Sequence, residues 1–234
     1  GFGRSLAALS VIRLVGLGFS FLAGVVAARL LEPAVFGAAG VAQAFVIFIA
    51  VIANAGLTMA AIYRLRRSTT IASEAGSIIG LVIPLAVLAG VAVGVGLELG
   101  AQAMGFQPYT ALLAAAVVLG VATVMADVFG GMLLGLGANG PFTVAEGLRY
   151  LSTLPVMLIV LLVWPSAAGY LAASAVAVAI AMTFALAVVR RRLGTVRPRI
   201  DLPAWREALH FGLRGQPGNV LQYFSLRIDL ILVG

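Results

Sequence analysis

Six uninterrupted apolar blocks, each more than 20 residues long, occupy positions 5–28, 36–63, 74–97, 110–136, 142–164 and 167–189. About 20 apolar residues in helical form cross a ~30 Å hydrocarbon core, and buried helices of soluble domains need be neither so long nor so numerous. Strands of a membrane barrel would alternate lipid-facing and lumen-facing residues over ~10 positions, and the blocks here are continuous instead. With 62% hydrophobic and 10% charged residues and a mean hydropathy of +1.14, the chain lies far from the soluble globular average of about half apolar and a quarter charged. The expectation is an all-α, polytopic integral membrane helix bundle.

A seventh block starts near position 207, behind a polar stretch at 190–206 in which Pro198 and Pro203 limit helix continuation. This divides the chain into a six-helix N-terminal lobe (1–189), a linker (190–206) and the first helix of a second lobe (207–234). Phe211-Gly212-Leu213-Arg214 loosely echoes Phe2-Gly3-Arg4, and membrane transporters commonly contain internal repeats with the substrate site between them. The first block is too long for a signal-peptide core and leads into further spans, so it is a retained helix. The absence of an initiating methionine and an end inside an apolar run give both termini the look of cuts.

All 15 basic residues are arginine. Outside the blocks they fall at Arg4, Arg64, Arg66, Arg67, Arg190, Arg191, Arg192, Arg197, Arg199 and Arg206, on one side of a six-span topology, whereas Arg29, Glu32 and Glu98 fall on the other. Positive loops stay inside, so the N-terminus and the linker are expected in the cytoplasm. These arginines serve as topology signals and contacts to anionic lipid, and hydropathy excludes a soluble nucleic-acid-binding role for the net charge of +7.

Three ionisable residues lie deep within blocks: Arg13, Asp127 and Arg149. A charge at the bilayer centre costs at least ~2.5–3.5 kcal/mol and persists where it faces a partner or a wet cavity. Arg13 is roughly 12 Å into its helix and has no acid on it, so it faces either a cavity or an acid such as Asp127 on another helix. Folding the fourth and fifth blocks about Asn139-Gly140-Pro141 leaves Arg149 offset from Asp127 by two residues, roughly 3 Å. That permits an ion pair, while Glu146 at i, i+3 is a local alternative partner for Arg149. In the functional reading Arg149 faces a cavity and Asp127 orients it or binds a coupling cation.

Gln43 and Asn54 in the second block, and Gln216, Asn219, Gln222, Arg227 and Asp229 in the seventh, add polarity suited to a cavity wall. Asn54 serves equally well as glue between helices. Three small-residue pairs, Gly76/Gly80, Gly90/Gly94 and Gly131/Gly135, would let helices approach closely, though 28 glycines make chance spacing common. Pro84, Pro155 and Pro217 fall within helical blocks and can kink them. With no cysteine and one histidine, His210, thiolate catalysis, disulfides and Cys- or His-built metal sites are excluded. No phosphate-binding loop, dinucleotide fingerprint or nucleophile elbow is present, nor an Asp-rich diphosphate-metal motif. The expectation is a non-enzyme without cofactor.

Ala28-Arg29-Leu30-Leu31-Glu32-Pro33-Ala34-Val35-Phe36-Gly37, then Gln43-Ala44-Phe45 and Asn54-Ala55-Gly56-Leu57, resemble the first two helices of the Wzx-type polysaccharide-biosynthesis flippases. These belong to the MOP superfamily, with the MATE exporters and the MurJ flippases. Phe211-Gly212 through Arg227-Ile228-Asp229 is similar to the start of that family's second lobe. The resemblance implies twelve or more helices in two lobes around an alternating-access cavity. It also implies a polyprenyl-diphosphate-linked oligosaccharide as cargo, with Arg13, Arg149, Arg214 and Arg227 as candidate diphosphate contacts, Gln43 and Asn54 as further cavity residues, and Asp127 and Asp229 as coupling or structural acids. Coupling to H+ or Na+ and partnership with membrane lipids and with polysaccharide polymerase and ligase machinery follow from it. Asn54 stands where an acid often precedes the family's Gly-Leu, and the arginine-rich first helix of MurJ is missing. A MATE-like cation-coupled drug exporter, needing an acid-lined cavity, and a non-transporting scaffold of a polysaccharide-assembly complex are the alternatives.

Overall fold

A computed structural model describes the backbone of residues 2–100 and 108–233 and the side chains of 10–100, 108–218 and 221. Its elements are α1 (Phe2–Leu30), α2 (Pro33–Asn54), α3 (Leu57–Arg67), α4 (Ile71–Gly100), α5 (Thr110–Gly135), α6 (Asn139–Val163), α7 (Ala167–Leu193) and α8 (Leu202–Val233), with no strand among the described residues. Among the described residues, six spans are long and apolar enough to cross a membrane, α2 and α3 together forming one of them, Pro33–Arg67. The chain is thus a multi-pass membrane protein. Its outward faces carry Leu14, Phe21, Leu99 and Val163, all exposed, as helices solvated by lipid tails require.

The interior is built mainly from alanine, with leucine and glycine next, because in lipid close van der Waals approach replaces hydrophobic exclusion as the packing force. α5 and α7 form the central seam, with α6 and α1 stacked outward from α7 and with α4, α2 and α3 gathered on α5. α1 barely touches α2. The bundle therefore has two leaves, α1/α6/α7 and α2/α3/α4/α5, joined along α5–α7 and parted between α1 and the α2/α3 span.

The second block is not the continuous helix expected from its hydropathy. Ala55 (φ 48°) and Gly56 (φ 70°) adopt left-handed conformations and break the span in two. Ala55 N–H turns to the Ile52 carbonyl (3.0 Å), which frees the Val51 carbonyl, and the Gln216 side-chain amide of α8 donates to it. On the other side of the break, Asn54 Oδ1 accepts the Thr58 N–H (3.2 Å) while its Nδ2 donates to Thr58 Oγ1 (3.0 Å). Orphaned backbone groups inside a membrane need such partners. Asn54 is thereby fixed as a local cap of α3.

The turn between α5 and α6 also differs from expectation. Gly137 (φ 67°) closes α5 with Ala138 N–H on Leu133 O (2.8 Å) and Gly137 N–H on Leu134 O (3.1 Å), the paired 6→1 and 5→2 bonds of a Schellman motif. Asn139-Gly140-Pro141 is the first turn of α6, where Pro141 needs no acceptor for its missing N–H. Counting from Gly137, Arg149 lies two residues beyond the level of Asp127 rather than two short of it, the same ~3 Å.

Each of the three small-residue pairs is a close approach. Gly90 and Gly94 admit Val117 and Val121 of α5, and Gly131 and Gly135 admit Thr58, Ala61 and Leu65 of α3. Gly76 and Gly80 receive a strand-like connection rather than a helix: the backbone of Arg197 and Arg199 lies on them, with Arg199 N–H bonded to Gly76 O (2.9 Å). Because α7 continues to Leu193 and α8 begins at Leu202, the extended connection is 194–201. Trp205 Nε1 donates to Ser77 O (3.0 Å). Arg64 pairs with Glu74 (2.9 Å) and Glu207 (3.5 Å) and donates to Ala204 O (2.6 Å). Farther along α8, Gly212 packs backbone to backbone on Ala55 and Gly56.

Gly56→Ala should therefore lower stability by about 1–3 kcal/mol, through its left-handed φ and the collision of a Cβ with Gly212. Gly40→Ala, at a helical position with nothing within 4 Å, should be neutral or stabilising by about 0.5–1 kcal/mol. Thermal unfolding of the two variants in detergent checks both.

Candidate functional site

The gap between the leaves holds two cavities in series. The near cavity, toward the arginine-rich end of the bundle, measures about 490 Å³ and is lined by Arg13 of α1, Val51 and Asn54 of α2, Thr58 of α3, Asp127 of α5, Phe142 and Glu146 of α6 and Gln216 of α8, among others. The far cavity, about 500 Å³, is lined by Ser20 of α1, Gln43 of α2, Thr123 of α5, Arg149 and Thr153 of α6, and Tyr170 and Ser174 of α7, with apolar neighbours.

Asp127 and Arg149 meet where the cavities adjoin. Arg149 Nη1 donates to Asp127 Oδ1 at 2.9 Å, with the two side chains 29% and 35% exposed. Asp127 lines the near cavity and Arg149 the far one, so the ion pair forms part of the wall between them. The partner of Arg149 is Asp127 rather than the local Glu146. One of its five N–H groups is used in this bond, and the rest of the fork is free to meet a ligand.

Arg13 is exposed, lines the near cavity, and makes no hydrogen bond or ion pair with the described residues. Glu146 lines the same cavity and is likewise unbonded among the described residues. A cation and a carboxylate are thus presented to one volume without being consumed by each other, while Asp127 is taken by Arg149.

In the far cavity Gln43 is held between Ser174 (Nε2 to Oγ, 3.2 Å) and Tyr170 (Oη to Oε1, 3.0 Å). Thr123, Thr153 and Ser174 donate back to carbonyls one turn earlier on their own helices, which leaves their oxygens as acceptors. Arg214 lines neither cavity. It is exposed, with Nη2 3.3 Å from His210 Nε2. The side chains of Arg227 and Asp229 lie outside the described residues. Sequence reasoning noted Gln216 only as a polar residue of the seventh block. Its role depends on a helix break more than 150 positions away, which no local signal announces.

The sequence profile of the family described as polysaccharide biosynthesis protein matches residues 2–234. No curated protein matches the chain. Among solved structures, a MOP superfamily transporter from Pyrococcus furiosus superposes with a TM-score of 0.72 at 18% identity, over 97% of this chain and 54% of that one. An outward-facing multidrug resistance MATE family transporter of the MOP superfamily does so with a TM-score of 0.69 at 17% identity, over 97% and 54%. The fold is that of these transporters, and the chain spans about half the length of either.

Asp127→Ala would leave Arg149, in the wall between the two cavities, without its carboxylate. At this partial exposure the expected loss is about 1–3 kcal/mol. A double-mutant cycle with Arg149→Ala should return a coupling of at least about 0.5 kcal/mol, measured by thermal unfolding. Additive single effects would mean that the pair contributes nothing to the fold.

Proposed function

We propose that this chain, which belongs to the polysaccharide biosynthesis protein family, is one half of a membrane transporter that flips a polyprenyl-diphosphate-linked oligosaccharide across the bacterial plasma membrane by alternating access, and that it is not an enzyme. The carrying observation is the pair of cavities in series between two leaves, with Arg13, unpaired among the described residues, at one and Arg149, which spends one N–H on Asp127, at the other. A diphosphate offers only acceptor oxygens and negative charge, and the planar guanidinium fork suits it. Passage from one cavity to the next brings it to the Asp127–Arg149 pair, where the phosphate competes with a carboxylate of like charge for the same fork. Asp127 and Glu146 are the acids through which H+ or Na+ coupling would act. Membrane lipids, and the polymerase and ligase that use the translocated glycan, are the partners this role implies.

A cation-coupled drug exporter is the second reading, favoured by the carboxylates of Asp127 and Glu146 at the near cavity and opposed by Arg13 beside them. A non-transporting scaffold would have Arg13 and Asp127 simply pair with each other, and the Asp127 carboxylate is instead on Arg149.

In vesicles containing the full-length protein, Arg13→Ala and Arg149→Ala should each slow translocation of a fluorescent lipid-diphosphate sugar by about 10-fold or more, the equivalent of one charge-assisted hydrogen bond. Unchanged rates would remove both residues from the transport path. Orientation is testable because these 234 residues contain no cysteine. A single cysteine placed at Thr69 should react with a membrane-impermeant maleimide only from the cytoplasmic face.

A further inference from the structure

A further cavity, of about 390 Å³, lies at the arginine-rich end of the bundle among the end of α3, the turn into α4 and the start of α8. It shares no lining residue with the two between the leaves. Arg64 lines it but has little left to offer: Nε and Nη2 hold both oxygens of Glu74 (2.9 and 3.2 Å), and Nη1 holds the Ala204 carbonyl. Two other charges on its walls are less engaged. Arg67 is exposed, with Nη1 on the Tyr63 hydroxyl and no carboxylate partner among the described residues. Glu207 has a 78% exposed side chain whose Oε2 is 3.5 Å from Arg64 and whose Oε1 bonds to no described residue. Thr69 adds an exposed hydroxyl that is likewise unbonded among the described residues.

These groups together fit a ligand that carries both signs. An anion alone would use Arg67 and meet Glu74 and Glu207 as like charges, and a metal cation would meet Arg67. A zwitterion with a phosphate and a primary ammonium gives each group its complement. The phosphate oxygens accept from Arg67 and from the Thr69 hydroxyl, and the ammonium N–H groups donate to Glu207. A quaternary ammonium has no N–H to give, and the aromatic face that would hold it instead is taken, because Tyr63 is stacked on Phe211 (4.5 Å between centroids) and covered by Arg67 (5.0 Å).

The position of the cavity makes a membrane lipid the source of that zwitterion. It lies where two candidate spans, Pro33–Arg67 and Ile71–Gly100, meet, so the polar interface of a bilayer falls at this level. Tyr63 and Phe211 are 42% and 40% exposed beside it, and Tyr is enriched at the depth of lipid headgroups. We propose that this cavity binds the headgroup of an aminophospholipid of the phosphatidylethanolamine type, with Arg67 and Thr69 on the phosphate and Glu207 on the ammonium. The bound headgroup bridges α3 to α8. The site lies outside the cavities assigned to transport and does not depend on what the protein carries.

The test titrates the full-length protein in detergent with dioctanoyl phosphatidylethanolamine, phosphatidylcholine and phosphatidylglycerol, and counts bound lipid by native mass spectrometry. Wild type should bind phosphatidylethanolamine about 10-fold more tightly than either of the others, the equivalent of one charge-assisted hydrogen bond. Glu207→Gln should remove that preference and leave phosphatidylcholine binding unchanged, whereas Arg67→Gln should weaken both alike. Thr69→Val breaks no bond to a described residue and should also weaken both, which keeps the question answerable if loss of the Arg64 contact impairs folding of Glu207→Gln. Equal binding of phosphatidylethanolamine and phosphatidylcholine by wild type would overturn the assignment of Glu207 and the proposal with it. A preference for phosphatidylglycerol that Glu207→Gln strengthens would overturn it in favour of an anionic-lipid site. Displacement of the lipid by free phosphoethanolamine at equal concentration would overturn it in favour of a soluble zwitterion.

Discussion

A backbone in lipid has no water to complete its hydrogen bonds, and this constraint organises the bundle. Where the chain is helical the requirement meets itself. At the left-handed break within the α2/α3 span, Ala55–Gly56, it does not, and the surrounding side chains are arranged to answer it. Asn54 takes up an N–H of α3 and Gln216 takes up the Val51 carbonyl of α2. The second of these partners comes from α8, so completing the α2/α3 span requires α8 to be in place. The break, the docking of Gly212 on Gly56 and the bond from Gln216 to Val51 are consequences of one unmet requirement.

The same constraint explains the glycines. In water a glycine in a helix is a weakness, but between membrane helices it permits contacts that no side chain would allow. Gly131 and Gly135 bring α3 onto α5 next to Asp127, and Gly76 and Gly80 hold the chain that leads into α8. The wall of the near cavity is therefore set by backbone contacts, which have less freedom to repack than long apolar side chains do.

The six-span, all-helical layout was legible because continuous hydropathy is a strong signal and the end-to-end asymmetry of arginine is another. Arg13, Asp127 and Arg149 were legible by depth alone, since charge inside an apolar block demands a reason wherever it stands. Three features were not. The break at Ala55 is silent in hydropathy because Ala and Gly are as apolar as their neighbours. The turn after α5 was read two residues late because Asn139-Gly140-Pro141 suits a helix N-terminus as well as a loop. The uses of Asn54 and Gln216 depend on which carbonyls and N–H groups the break releases, and side-chain polarity carries no record of that. The family profile and the MOP structures agree with the layout, while the residues that line the cavities follow only from geometry.

From Arg199 to Gln216 the start of α8 is fastened to this bundle at Gly76, Ser77, Arg64, Gly56 and Val51 in turn. Pro217 follows at once, and its ring removes the hydrogen bond that would tie that turn to the one before. Gly215 and Gly218 on either side have open space around them. In mechanical terms the helix is a cantilever clamped along its first half, with its thinnest section immediately beyond the clamp. Any load carried by its far half bends it there, and the cavity wall upstream, Gln216 included, is shielded from the strain.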